Sequence, residues 1–169
     1  KTFKMKKLDS IVISGKESLP LIEGGKGIAV SSGESSGAWA KAGGVGTFSG
    51  VNADSYDENG KLIPQIYKEK TRKGRHRELV DFSVSGAIEQ AQIARDIAGP
   101  TAPIHINILW EMAAAEEILT RTLEKAGNII DGVTCGAGMP YRLSEIAAKY
   151  GIFYYPIVSS ARAFNALWK

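Results

Sequence analysis

Gly24-Gly25-Lys26-Gly27 closes a short apolar run, Leu19-Pro20-Leu21-Ile22-Glu23. Clustered glycines at the end of such a run let backbone approach a flat or phosphorylated ligand with no side chain in between. Farther along, Asn107 is a lone amide between Ile106 and Ile108. A buried amide must find partners, because leaving it unsatisfied costs about 1–3 kcal/mol. Cys135-Gly136-Ala137-Gly138 offers a thiol beside bare backbone, and Ser159-Ser160 offers two hydroxyls. Backbone amides, one side-chain amide and a few hydroxyls suit the binding of a cofactor. For Cys135 a small buried thiol is the competing role, and for the serines it is helix N-capping.

These residues recur at the ends of alternating elements. Residues 19–23 read as a strand, 35–42 as a short helix with Gly43 past its end, and 45–48 as a second strand. Residues 50–78 form a polar, basic excursion containing the turn Asp57-Glu58-Asn59-Gly60. From Val80 the set Val84, Ala87, Ala91, Ala94 and Ala98 spaces out a helix face, which Gly99-Pro100 ends. Residues 103–109 form the third strand, 113–126 a helix, 132–135 the fourth strand, 141–150 a helix opened by Pro140, 152–159 the fifth strand, and 161–169 the next helix. No turn-linked hairpin is expected. Alternation of this kind predicts a parallel α/β sheet. Polar and glycine residues repeatedly follow the strands, as at the rim of a TIM-type (β/α) barrel, and no Gly-x-Gly-x-x-Gly fingerprint is present. Five βα units are present where a barrel has eight, so the sequence reads as the N-terminal part of one barrel domain over residues 1–169. Its first and fifth strands should be open edges, and half of its interior should face solvent.

Composition narrows the setting. The chain is 44% hydrophobic and 23% charged, an ordinary balance for one folded domain. No apolar run reaches the length of a membrane span, and the basic residues Lys1, Lys4, Lys6 and Lys7 flank no signal-peptide core, so a cytoplasmic protein without a membrane partner is expected. Of the formal charge of +3, more than all is concentrated in Lys68, Lys70, Arg72, Lys73, Arg75 and Arg77, opposed there only by Glu69. Such a segment is a solvated face or a docking surface for an anion. It lacks the interleaved aromatics of single-strand binders, and no nucleic acid is expected.

The glycine-rich first loop, Ala40-Lys41-Ala42-Gly43-Gly44-Val45-Gly46, Asn107, Gly136-Ala137-Gly138 and Tyr155-Pro156-Ile157-Val158-Ser159-Ser160, in this order and spacing, resemble the nitronate monooxygenase (2-nitropropane dioxygenase) family of flavoproteins. Flavin-dependent enoyl-acyl-carrier-protein reductases are related to it. The resemblance runs from about Leu19 to the end of the chain and implies an FMN-binding barrel. It places the cofactor against Gly24, Gly25, Lys26 and Gly27, with Asn107 at the polar edge of the ring and Cys135, Gly136 and Ser159 nearby. The family often has Met where Lys26 stands and Gln where Glu23 stands; a cation at Lys26 would favour negative charge on reduced flavin.

The resemblance implies oxidation of a small alkyl nitronate by O₂ to a carbonyl compound and nitrite. The runner-up is NAD(P)H-dependent reduction of an enoyl thioester, which the basic segment supports because acidic carriers favour basic docking surfaces. The family's catalytic histidine, in an Ala-Gly-Gly-His motif after the sixth strand, and its phosphate-holding loops are expected beyond Lys169. The catalytic residue is therefore unassigned, and the chain alone is expected to be inactive. It is not transferable to His76, in the basic excursion, or to His105, which reads as a satisfied interior histidine. Trp110 and Glu111 are candidates to shape a substrate pocket. No metal ligand set is expected. A third reading is a non-catalytic half-barrel that completes itself by self-association or against the remainder of a barrel.

Overall fold

A computed structural model describes residues 8–168; residues 1–7, with Lys1, Lys4, Lys6 and Lys7, and Lys169 lie outside it. The architecture is alternating α/β around a four-stranded parallel sheet. The elements are β1 (Ile11–Ile13), β2 (Lys16–Ser18), α1 (Gly33–Lys41), β3 (Gly46–Ser49), α2 (Arg72–Ala98), β4 (Ile104–Leu109), α3 (Ala115–Ala126), β5 (Gly132–Gly136), α4 (Leu143–Tyr150), β6 (Phe153–Pro156) and α5 (Ala161–Trp168). The strand order β3-β4-β5-β6 is sequential, each neighbour parallel to the last, as in one wall of a (β/α) barrel. Ile104, Ile106, Ile108, Val133 and Cys135 face the helices and join one buried cluster with Ala87, Ala91, Leu119 and Leu143. The alternate residues, Thr47, Ser49, His105, Asn107 and Thr134, share the opposite, barrel-interior face.

Three local expectations are corrected. The first strand, residues 19–23, is reduced to a single parallel bridge between Ile22 and Val45. The chain leaves the sheet after Glu23, whose backbone N–H still donates to Val45 O at 2.9 Å while its carboxylate Oε2 accepts the next rung, from Thr47 N at 3.0 Å. A side chain thus replaces the carbonyl that a longer strand would supply. The second correction is the helix expected from Val80, which begins at Arg72. Thr71 caps it by accepting from Gly74 N at 3.0 Å, so the basic run from Arg72 to Arg77 is helical, not loop. The Asp57–Gly60 turn within the excursion is present, with Asp57 Oδ1 accepting from both Asn59 N and Lys61 N.

The third correction is a hairpin that the residue pattern did not announce. β1 and β2 pair antiparallel around Ser14-Gly15, both at positive φ (51° and 72°), the signature of a type I′ two-residue turn. Its tip docks on the N-terminal end of the sheet. Ser14 N donates to Tyr155 OH at 3.1 Å, and Ser14 Oγ lies 2.7 Å from His105 Nε2. Beside it, Asp131 accepts from Lys16 Nζ, Arg95 Nη2 and Ile104 N, all within 2.8 Å, which ties hairpin, α2 and β4 together. The interior is therefore less open than five units alone suggest. Thr47 and His105 are fully buried and Asn107 is 4% exposed, because the hairpin covers the floor and the glycine loop covers the top. The open edge is at β6, where Phe153 and Tyr154, with Ile157 just past the strand, are 45–61% exposed.

Candidate functional site

Parallel strands with helical crossovers put all their C-terminal ends on one side, and the loops there form the site. After Glu23 the chain runs through Gly24, Gly25, Lys26 and Gly27 over the top of β4. A Cβ built on Gly25 would lie 2.5 Å from Asn107 Cγ, so this backbone rests directly on the Asn107 side chain. On Gly27 it would meet Leu109 and Val51 at ordinary contact distances, and on Gly24 nothing within 4 Å. Gly24 and Lys26 are exposed, and Lys26 has no ion-pair partner among the described residues. The result is a bare stretch of main chain with a flanking cation, seated on a buried amide.

The loop is held from behind. Lys26 N donates to Ser31 Oγ at 3.0 Å, Ser31 Oγ donates to Gly24 O, and Ser49 N donates to Ser31 O at 2.8 Å. Glu23 Oε1 accepts from Ser35 Oγ at 3.0 Å, near the N-terminus of α1, where a carboxylate is favoured. Ser31 and Ser49 were not among the residues singled out by sequence. Ser31 stands before the capping Ser32 and carries no spacing signal of its own. Thr134 could have been found, since it is the register partner of Asn107 and donates to Asn107 Oδ1 at 3.1 Å. That leaves the Asn107 amide nitrogen as the group without a protein acceptor among the described residues.

The other nominated residues divide between rim and core. Gly136 ends β5, and Trp110 N and Glu111 N donate to Gly136 O and Ala137 O, so the β4 and β5 loops are joined; Trp110 is half-buried and Glu111 exposed. Ala137 (φ 54°) and Gly138 (φ 118°) carry the chain over into a cavity of about 280 Å³ that Ile157, Val158 and Ser159 also line. Ser159 is exposed there, whereas Ser160 is the capping residue of α5, accepting from Ala163 N. Cys135 is placed elsewhere. It shares the helix-facing side of β5 with Val133, fully buried in the core, and burial pushes its thiol up to about 12. The native thiol is therefore expected to resist iodoacetamide at pH 8 and to label fully in denaturant. Stoichiometric labelling of the folded protein within minutes would place Cys135 at an accessible rim.

His76 lies exposed on α2, far along the chain from the rim strands. His105 lies on the interior floor, its ring stacked on Tyr155 at 4.9 Å, and burial pushes it down to about 4, so it is neutral at pH 7. Among the described residues no cluster of His, Cys, Asp or Glu is gathered for a metal, and no helix is long and apolar enough to cross a membrane.

No family model and no curated protein sequence matches the chain. Among solved structures, it is similar in fold to FabK from Thermotoga maritima. The TM-score is 0.60 at 17% sequence identity, over 88% of this chain and 37% of the FabK chain. The likeness is one of architecture, and this chain spans little more than a third of FabK's length. The wall of parallel strands described above is thus a portion of a TIM-barrel-like fold.

Proposed function

We propose that this chain belongs to an FMN-dependent oxidoreductase that oxidises small alkyl nitronates with O₂. The observation that carries the reading is the bare loop of Gly24, Gly25, Lys26 and Gly27 laid on Asn107 at the C-terminal rim, with no Cβ to obstruct a planar ring over Gly24. The barrel architecture shared with FabK supports it. When bound, FMN supplies the electron-accepting centre. This chain's part would be to hold it, with the main chain of residues 24–27, the Asn107 amide nitrogen as a hydrogen-bond donor, and Gly136 and Ser159 along the same rim. Lys26 favours negative charge on the bound cofactor. Two nitronate anions and one O₂ balance to two carbonyl compounds and two nitrite ions.

One observation favours a second reading, NAD(P)H-dependent reduction of an enoyl thioester. Lys68, Lys70, Arg72, Lys73 and Arg77 form no ion pair among the described residues, and a basic surface of this kind steers an acidic carrier. The test is made on the full-length oxidoreductase reconstituted with FMN, since this chain by itself is expected to be inactive. Oxygen uptake with stoichiometric nitrite on adding a nitronate is the expected result. NAD(P)H oxidation that requires an enoyl thioester, without nitronate turnover, would transfer the assignment to the second reading. Bound FMN with neither activity would sink both.

A further inference from the structure

Two buried polar atoms on the barrel-interior face have no hydrogen-bond partner: Thr47 Oγ1 on β3 and His105 Nδ1 on β4. They belong to register partners of the same parallel pair, where neighbouring strands lie about 4.8 Å apart, and both residues are fully buried. Buried polar groups in folded proteins are nearly always satisfied, so a pair of adjacent orphans points to a shared partner. The ring's position says where that partner sits. Its Nε2–Cδ2 edge is packed against β5, since a Cβ built on Gly132 would fall 2.7 Å from Nε2 and 2.8 Å from Cδ2. The opposite edge, which carries Nδ1, is turned away from β5 to the β3 side, where Thr47 stands.

The neighbouring network bears on the role of Nδ1. Tyr155 OH accepts from Ser14 N and lies 2.9 Å from Ser14 Oγ, which lies 2.7 Å from His105 Nε2. In one arrangement Tyr155 O–H donates to Ser14 Oγ, Ser14 O–H donates to Nε2, and the ring proton is on Nδ1, so that both hydroxyl hydrogens have acceptors. The orphan on the ring is then a donor and needs an acceptor. We propose that an internal water molecule is bound between His105 Nδ1 and Thr47 Oγ1, accepting from the ring N–H and bonding the threonine hydroxyl. An ordered buried water typically makes two to four hydrogen bonds, and these two buried atoms offer two. The bridge commits both ring nitrogens, so His105 is a fixed spacer joining hairpin, β3, β4 and β6 and is not free to act as a base.

A crystal structure at high resolution, with ¹⁵N NMR of the imidazole ring, tests this. Expected are density for a water within hydrogen-bond distance of both atoms, the Nδ1–H tautomer, and persistence of both in Thr47→Ser. Thr47→Val keeps the shape, removes the hydroxyl, and should lose the water. A direct Thr47 Oγ1–His105 Nδ1 contact without an intervening water, or the Nε2–H tautomer in the unaltered protein, would overturn the proposal. Should Thr47→Val fail to fold, the unaltered protein and Thr47→Ser decide it.

Discussion

Gly25→Ala is expected to destabilise the protein by about 1–3 kcal/mol and to lower its affinity for FMN roughly 10- to 100-fold, whereas Gly24→Ala leaves stability within about 0.5 kcal/mol. The two glycines are adjacent, and composition gives no reason to treat them differently. Their surroundings do. A methyl on Gly25 is driven into Asn107, a buried side chain held by Thr134 and unable to give way, while a methyl on Gly24 enters open space. Thermal melts without flavin measure the first effect, and fluorescence titration of the full-length oxidoreductase with FMN measures the second. Gly24→Ala then reports on the ring itself. A stable Gly24→Ala protein that binds FMN more weakly places the ring over residue 24, and one that binds it as tightly as the unaltered protein moves the ring off that loop.

The second large effect is acid lability originating at His105. Burial lowers its proton affinity in the folded protein to a value of about 4, against 6.5 for an unburied histidine. As pH falls below about 6.5 the unfolded chain takes up the proton first, and the folded protein follows only near 4. The stability contribution is therefore complete above the higher value, declines across this window, and has cost about 3 kcal/mol at its lower end. Denaturant unfolding at pH 7.5, 5.5 and 4 should show that decline. Carboxylates also titrate at the acid end, so the comparison is with His105→Gln, whose profile should be flatter by the same amount. Equal slopes for the two proteins would mean that His105 is solvated.

Much of the parallel wall could be read from residues, and the reasons are physical. Where a strand is buried on its helix side and small or polar on the other, as in Ile104-His105-Ile106-Asn107-Ile108, the alternation is visible and fixes which residues meet at the rim. The first strand misled because its apolar residues are real but its ladder is not. Pairing stops at Ile22, and the Glu23 carboxylate finishes what backbone would otherwise do. The early start of α2 was hidden because six cations and Gly74 argue against a helix N-terminus, while a single Thr71 cap and the long packed face behind it decide for one. The hairpin was hidden because Ile11-Val12-Ile13 does not alternate, leaving only Ser14-Gly15 to mark it. At the candidate site, the loop glycines and Asn107 were legible by type. The serines that brace the loop and the inward or outward sense of Cys135 depend on register, which only the folded sheet supplies.

The hairpin carries a further consequence for the order in which the protein is made. Ser14 leaves the ribosome 141 residues ahead of its partner Tyr155. At typical rates of synthesis that gap lasts on the order of ten seconds or more. Throughout it Tyr155 is missing from the floor of the sheet, and β3 and β4 can pair while Ser14 lacks its hydroxyl partner and His105 the ring that stacks on it. Closure of so long a loop is slow compared with helix formation or the pairing of neighbouring strands. The hairpin, made before the sheet it covers, is thus fully seated only after β6 arrives, and anything that traps Ile11 and Val12 in the interval competes directly with completion of the fold.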